Sequence, residues 1–547
     1  MKRLSFIAVI AFLTLTTLAH SQIENVPVSN PVYDFLVRFE IRGMLENFSS
    51  SMLPLERREI TNALSRINEH YAELSENEKA VLKRYLKEFG MNDNSPATLF
   101  RSGSDSIQVL SKHFFDDRQR FVYHYADAEN NVSLAPLASL TEIVRSGNGN
   151  TDNVLFGNIG FRLYGSLSEH FGYILQATNG TVLSGNKDIA LQDEHLSRSI
   201  KFTELKSDFD FTESDVRFAY KWFYASIGRM TRLWGSGISN SVYLSSNAPV
   251  FAAVDLGVKF TGFEYRFSTG GLLETYSDST KVGFNAVVPQ KYTAMHRFAV
   301  RPKWGEIGLW EGIIYSKRNI DLEYLNPLSF FKSVEHSLRD RDNSLMGADI
   351  TLRPFKRVEL KGTFILDDVI FGKVGDHYWS NKYAWNLGAW YSPDMPLDFG
   401  LEYARVEPYA FSHFDSLNCY SNDGRLLGLG MDPNSEKYSL VVRYWMHGGK
   451  YPLSLKVDLT RHGANEYNPD GTLARNVGGD FRRTKQPEDS EEVHFLDGDL
   501  KDIFSATLHY GVELLRDFSA GISYTFEAER NAHPEHYFRV VFSYNDF

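Results

Sequence analysis

The chain has 547 residues, 23% of them charged, with a formal net charge of -11 and with 40 Gly, 40 Phe and 29 Tyr against 18 Pro. The acidic balance, without a basic stripe interleaved with aromatics, excludes nucleic acid as a partner. A single cysteine, Cys419, excludes an internal disulfide framework, and an aromatic content of 14% favours strands and tight turns over a helical solenoid.

The opening residues MKRLSFIAVIAFLTLTTLAHSQ set Lys2 and Arg3 before an apolar run from Leu4 to Leu18, with the small residues Ala19 and Ser21 behind it. That pattern predicts a signal peptide over 1–21. No later stretch reaches the roughly 18–20 apolar residues of a spanning helix. Export without a transmembrane helix is the expectation.

Residues 30–90 read as helices. Asn30 suits an N-cap and Pro31 a first helical position, with Val32, Phe35, Leu36 and Phe39 on one face. A second helix is expected from Pro54, and a third from the capping box Ser75-Glu76-Asn77-Glu78 to Gly90. The segment 22–130 is therefore expected to form a small periplasmic α-helical bundle.

From residue 131 the apolar period falls from 3.6 to 2. In LKDIFSATLHYGVELL, Phe504, Ala506, Leu508, Tyr510, Val512 and Leu514 alternate with small or polar residues. Eighteen such runs are expected, from 132–144 to 536–547, with the sixth and seventh at 257–267 and 271–277. Many span 10–14 residues, enough for the roughly 9–11 that cross a bilayer at a tilt and longer than the 5–6 typical of soluble sheets. The junctions alternate: SLSEH, KWF, STGG, RPKW, RPFK, SPDMP, GGKY and RD are tight, whereas 233–256, 317–343, 409–434 and 464–498 are long. These features predict a mainly β fold, an 18-stranded antiparallel transmembrane β-barrel over 131–547 in the outer membrane of a Gram-negative cell. Long loops would face outside and the helices the periplasm.

Three segments carry a family resemblance: VPVSNPVYDFLVRFEIRGML followed by PLERREITNAL, RLWGSGISNSVYLSSNAPVF at 232–251, and LNPLSFF with a downstream RDN at 325–331 and 341–343. Together they resemble the capsule-assembly outer-membrane proteins of the Wzi type. The resemblance implies an eighteen-stranded barrel with a periplasmic helical bundle, acting as a lectin that tethers capsular or other surface polysaccharide. A porin-like channel for small solutes is the alternative, since a barrel of this size can hold an aqueous lumen.

Candidate polysaccharide-binding residues are Trp234, Asn240, Tyr243, Ser245 and Asn247, because aromatic faces stack on sugar C–H surfaces while amides and hydroxyls bond sugar hydroxyls. The competing reading is a loop that Gly235, Gly237 and Pro249 fold into the barrel, its polar groups satisfying its own backbone. Asn326, Asp342 and Asn343 are added from the third segment. Its acids and His336 match no metal-loop spacing, so neither metal nor cofactor is expected. Tyr378, Trp379 and Tyr383 suit either a sugar platform or an aromatic girdle. No nucleophile elbow, HExxH or phosphate loop occurs, and no enzyme activity is expected. The chain closes on YFRVVFSYNDF, with Phe538, Val540, Phe542 and Tyr544 predicted to face lipid and Phe547 out of phase with them. A terminal aromatic resembles the ending of outer-membrane barrels and implies delivery to the barrel-assembly machinery. The expected partners are thus that machinery, outer-membrane lipid and polysaccharide, around a monomer.

Overall fold

The computed structural model describes residues 22–90, 96–100, 112, 115–116, 118–127, 129–239, 241–274, 289–446 and 450–545. The predicted signal peptide, the prediction for Asn240 and the phase of Phe547 lie outside those residues.

Three helices open the described chain: α1 (Val32–Ile41), α2 (Arg57–Glu69) and α3 (Glu76–Phe89). The Asn30 side chain accepts the Val32 N–H at 3.0 Å, as a cap should. The capping box of α3 closes both ways, with Ser75 N–H donating to Glu78 Oε2 at 2.7 Å and Glu78 N–H to Ser75 Oγ at 3.3 Å. The second helix starts at Arg57, three residues after its predicted Pro54, because Glu56 is still extended.

The strands that follow form a closed antiparallel ring. They are β1 (Asn131–Gly147), β2 (Asn150–Leu167), β3 (Phe171–Gly185), β4 (Asp208–Tyr220), β5 (Phe223–Arg229) and β6 (Ala252–Phe260). Next come β7 (Phe263–Leu272), β8 (Lys291–Val300), β9 (Gly305–Ser316), β10 (Asn343–Phe355), β11 (Val358–Asp368) and β12 (Lys382–Tyr391). The last are β13 (Leu397–Val406), β14 (Ser435–Tyr444), β15 (Leu453–Ala464), β16 (Asp499–Leu515), β17 (Phe518–Glu529) and β18 (Glu535–Tyr544), the eighteenth pairing with the first from Glu535↔Gly147 to Tyr544↔Ala138. Below that seam the short strand Arg120–Ala126 continues the pairing on β1.

One predicted boundary is corrected. The sixth and seventh strands meet at Thr261-Gly262, not at STGG, since Phe260 pairs with Phe263 and Gly262 takes a φ of +77°. Gly270 of STGG lies inside β7, where a Cβ would stand 2.3 Å from the Ala252 carbonyl oxygen. Its glycine answers a close approach within the sheet, not a turn.

Large apolar side chains such as Ile159, Ile227, Leu309, Leu387 and Leu401 stand exposed on the outer wall. Charged side chains fill the lumen instead. Arg297 donates to Asp349 at 2.9 Å and to Glu306 at 2.6 Å, and Arg301 bonds Glu264 and Glu306 at 2.6 Å each.

The helices sit in the mouth of the ring at the tight-turn end. Phe35, Phe39 and Tyr85 share a core with Trp445 of the β14–β15 turn, and the Phe35 and Trp445 rings are 5.4 Å apart. Ion pairs fasten this plug to inward-facing strand residues: Glu56 to Arg217 at 2.7 Å, Glu40 to Arg353 at 2.7 Å and Glu59 to Lys259 at 2.5 Å.

Candidate functional site

The lumen is filled from the loop end as well. After β5 the chain turns inward at Met230 and descends until Met52 pairs with Trp234, while Gly235 N–H donates to the Ser51 carbonyl at 2.9 Å. A loop from one end of the barrel thus touches the helical plug from the other. Gly235 has a φ of +110°, and a Cβ there would meet Ser241 Oγ at 2.9 Å, which explains the glycine. The loop tip is held by a lumen carboxylate, with Ile238 N–H and Ser239 N–H donating to Glu402 at 2.6 and 3.2 Å. On the way out Tyr243 stacks on Trp310 with ring centres 4.6 Å apart and planes 7° from parallel.

The 407–434 loop packs on this insertion. Tyr420 OH donates to the Tyr243 carbonyl, and Asn247 Nδ2 donates to the Leu426 carbonyl at 2.8 Å. Trp234, Tyr243, Trp310, Phe411 and Tyr420 belong to one buried cluster. Cys419 is buried within it, and burial pushes its thiol up to about 11.

The predicted binding residues therefore divide among three places. Trp234 and Tyr243 have no exposed surface, so their rings are covered by protein and offer no face to a sugar. Ser245 and Asn247 tie the inserted loop to residues 426–428. Asp342 is buried and accepts from Arg318 at 2.7 and 2.6 Å and from Tyr324 OH at 2.8 Å, while Asn343 Nδ2 donates to the Asn418 carbonyl at 2.9 Å. Asn326 accepts the Leu328 N–H at 3.1 Å in a turn on the barrel exterior. There the helices α6 (Leu322–Leu325) and α7 (Phe331–Ser337) lie against the wall, and the outward carboxylate of Glu311 accepts the Phe331 and Lys332 N–H groups at 2.8 Å each. The ligand atoms of Glu335, His336 and Asp340 come within 4.8 Å of one another, but Glu335 is already bonded to Lys332 at 2.7 Å and to Ser344. At the rim Trp379 packs edge-on against Tyr409 at 6.0 Å, and Lys373 Nζ lies 3.7 Å from the Tyr378 ring centre.

Between the two plugs lies a polar chamber. Two cavities of about 280 and 550 Å3 share Ser29, His195 and Phe211, and a third of about 400 Å3 meets them at Ser29. The ceiling is the 186–207 loop with α4 (Glu194–Ser197) and α5 (Ile200–Leu205), whose Phe202 and Leu196 pack on Phe156 and Phe209 of the wall. Gln176 donates to Glu213 at 2.9 Å across the strands beneath it. Burial lowers the pKa of His195, which favours the neutral imidazole, a donor and an acceptor at once. Hydroxyl, amide, carboxylate and imidazole groups converging on such a volume are what a saccharide needs.

Sequence reading missed this chamber. Gln176 is an inward polar position in the predicted third strand, whereas Glu213 lies just before the predicted fourth, at 214–222, His195 is on a helix too short to show a period and Arg198 is that helix's C-cap.

No family model matches the chain, and no curated protein matches it by sequence. Among solved structures, one similar in fold is Wzi of Escherichia coli, described as an outer-membrane protein involved in group 1 capsule assembly and as a carbohydrate-binding β-barrel. It matches at a TM-score of 0.55 with 14% identity over 95% of this chain and 99% of the other. That likeness establishes a shared fold. Lower scores, 0.42 and 0.39, are found with OccAB4 of Acinetobacter baumannii at 10% identity and OprD of Pseudomonas aeruginosa at 13%, each over 76% of this chain and over 97% and 92% of theirs.

Proposed function

We propose that this protein is an outer-membrane barrel that binds a surface or capsular polysaccharide and helps assemble or hold it on the cell, with no catalytic step. The observation that carries the reading is the doubly occupied lumen: helices enter from one end, the 230–251 loop from the other, and they meet at Met52 and Trp234. A channel for solutes gains nothing from such a seal, whereas a binding protein gains a rigid, polar chamber between fixed walls. The apolar outer wall supports residence in a bilayer, with the helices on the periplasmic side and the long loops outside. The fold shared with a carbohydrate-binding barrel points the same way.

Deletion of the gene is expected to shed polysaccharide into the medium while synthesis continues, and unchanged cell-attached polysaccharide would refute the reading. In a planar bilayer the protein is expected to be silent. A steady open conductance for small ions would instead establish the porin alternative.

A further inference from the structure

The barrel wall has a gap. On one side β4 pairs with β3 up to Asp208↔Thr181, but on the other its uppermost pair with β5 is Ser214↔Arg229. There β5 ends, because the chain turns into the lumen, and β6 begins level with it at Ala252↔Arg229. Residues 208–213 of β4 thus have a strand neighbour on one side only, an edge of roughly 20 Å at 3.3 Å per residue. The inward turn is pinned at the edge, with Thr231 N–H donating to Glu213 Oε1 at 2.8 Å and Arg232 Nη2 to Asp255 at 2.7 Å.

The cavity of about 550 Å3 lies at this edge. Its lining takes Phe211 and Glu213 from the inward face of β4 and Asp210 and Thr212 from the outward face. Strand alternation allows both faces to line one space only if that space wraps around the strand's free edge. The outward-facing Arg229 forms the sill, Val250 the far jamb, and Lys201 and Leu205 of α5 the lintel. Among the described residues no hydrogen bond or ion pair is seen for the Arg229 side chain.

We infer that this gap is a lateral portal through which the saccharide head of a membrane-resident glycolipid enters the chamber while its acyl chains stay in the bilayer. The outer surface supports each half of that ligand. Two residues below the sill, Val216, Ile227 and Val254 pair side by side as one exposed apolar row, a bed for acyl chains. At and above the sill the groups are Arg229, Asp210, Thr212 and Lys201, which suit hydroxyls and phosphates. A soluble polysaccharide would have no use for the apolar row, and a phospholipid would leave the polar chamber unsatisfied. The identity of the head group rests on the polysaccharide-binding reading above; the portal rests on the strand register.

The test uses the full-length barrel in phospholipid nanodiscs doped with lipopolysaccharide in one arm and with the lipid-linked surface polysaccharide of the producing cell in the other. A photo-crosslinking side chain is placed at Thr212, or at the exposed Leu387 on a distant part of the wall. A glycan-bearing adduct at least tenfold stronger at Thr212 than at Leu387 is expected, and the arm that yields it identifies the source. The outward-facing Thr212→Trp variant, which fills the gap without touching a ladder hydrogen bond, is expected to weaken glycolipid retention at least tenfold. Equal adducts at both positions, or phospholipid adducts alone, overturn the portal. Binding of lipid-free polysaccharide to the same preparation separates the two failures: if it binds and the Thr212 adduct is absent, the portal falls and the polysaccharide reading stands.

Discussion

Arg38 provides the sharpest measure of how the inner plug is held. Its guanidinium has no exposed surface and donates from Nε to Glu78 at 2.8 Å, from Nη1 to Ser392 and the Leu397 carbonyl at 3.0 Å each, and from Nη2 to the Pro393 and Met395 carbonyls at 3.1 and 2.9 Å. It also pairs with Asp398. Arg38→Ala leaves Asp398 with two neutral donors, Ser392 at 2.6 Å and Trp445 Nε1 at 2.7 Å, whereas Glu78 retains Arg42. Removing one partner of a buried pair costs about 3–5 kcal/mol, and the surviving cation beside Glu78 sets the expectation at the low end, about 3 kcal/mol. At about 1.4 kcal/mol per factor of ten, undocking of the helices becomes roughly 100-fold more frequent. No strand ladder is touched, so the loss falls on the plug and not on the ring. Hydrogen exchange of the α1 and α3 amides in the folded barrel reads it directly, with heat-resistant migration of the barrel as the control. Pairing the change with Asp398→Asn is expected to recover part of the loss, since the stranded charge is then gone. Exchange within threefold of the unaltered protein would refute electrostatic fastening of the plug.

Three further outcomes follow from the loop-end packing. A Cβ at Gly428 would lie 1.9 Å from the Val242 carbonyl oxygen, so Gly428→Ala is expected to cost about 1–3 kcal/mol and to give transient conductance steps in a planar bilayer; silence would mean that these loops are not the seal. The Cys419 thiol, held up near 11 by burial and within 3.1 Å of the Phe481 carbonyl oxygen, is expected to react with a maleimide at pH 8 at least 100-fold more slowly in the folded protein than in denaturant. Burial pushes His413 from its ordinary 6.5 down to about 4, and its Nδ1 accepts the Asp415 N–H at 3.1 Å. Because the released loop binds a proton more readily than the packed one, the packing is at full strength above pH 6.5 and weakens as pH falls from 6.5 to 4. Hydrogen exchange of residues 407–434 across that range measures the loss, and His413→Gln is expected to flatten it.

Strand period and junction length were enough to foresee the ring, because a half-buried strand writes its two faces into alternate residues. Junction chemistry was less legible. Ser268-Thr269-Gly270-Gly271 reads as a turn and Thr261-Gly262 as strand interior, and only the partner strand shows that the turn is at Thr261-Gly262 and that Gly270 is small to clear Ala252. The WGSGISNSVY segment was legible as a glycine-shaped loop. Whether Tyr243 faces a sugar or Trp310 depends on a residue 67 positions away, beyond the reach of any local pattern. The chamber fails for the same reason, since Ser29, Gln176 and His195 come from three unrelated elements.

The two unusual features of this barrel have one origin. A strand that continued upward from Arg229 would pair with residues 208–213 of β4 and close the wall, but that stretch of chain is spent on the inserted loop that reaches Trp234 and meets the inner plug. In hydrocarbon an unpaired edge is costly because no water satisfies its N–H and C=O groups. The exposed edge residues Asp210 and Thr212 and the sill residue Arg229 are polar, whereas the row beneath, Val216, Ile227 and Val254, is apolar. That step places the edge where lipid head groups and water can reach it, just above the acyl chains. Sealing the lumen along its axis and opening it sideways at the membrane surface are therefore consequences of the same early exit of β5, and the chamber so formed is accessible to molecules that are themselves anchored in the bilayer.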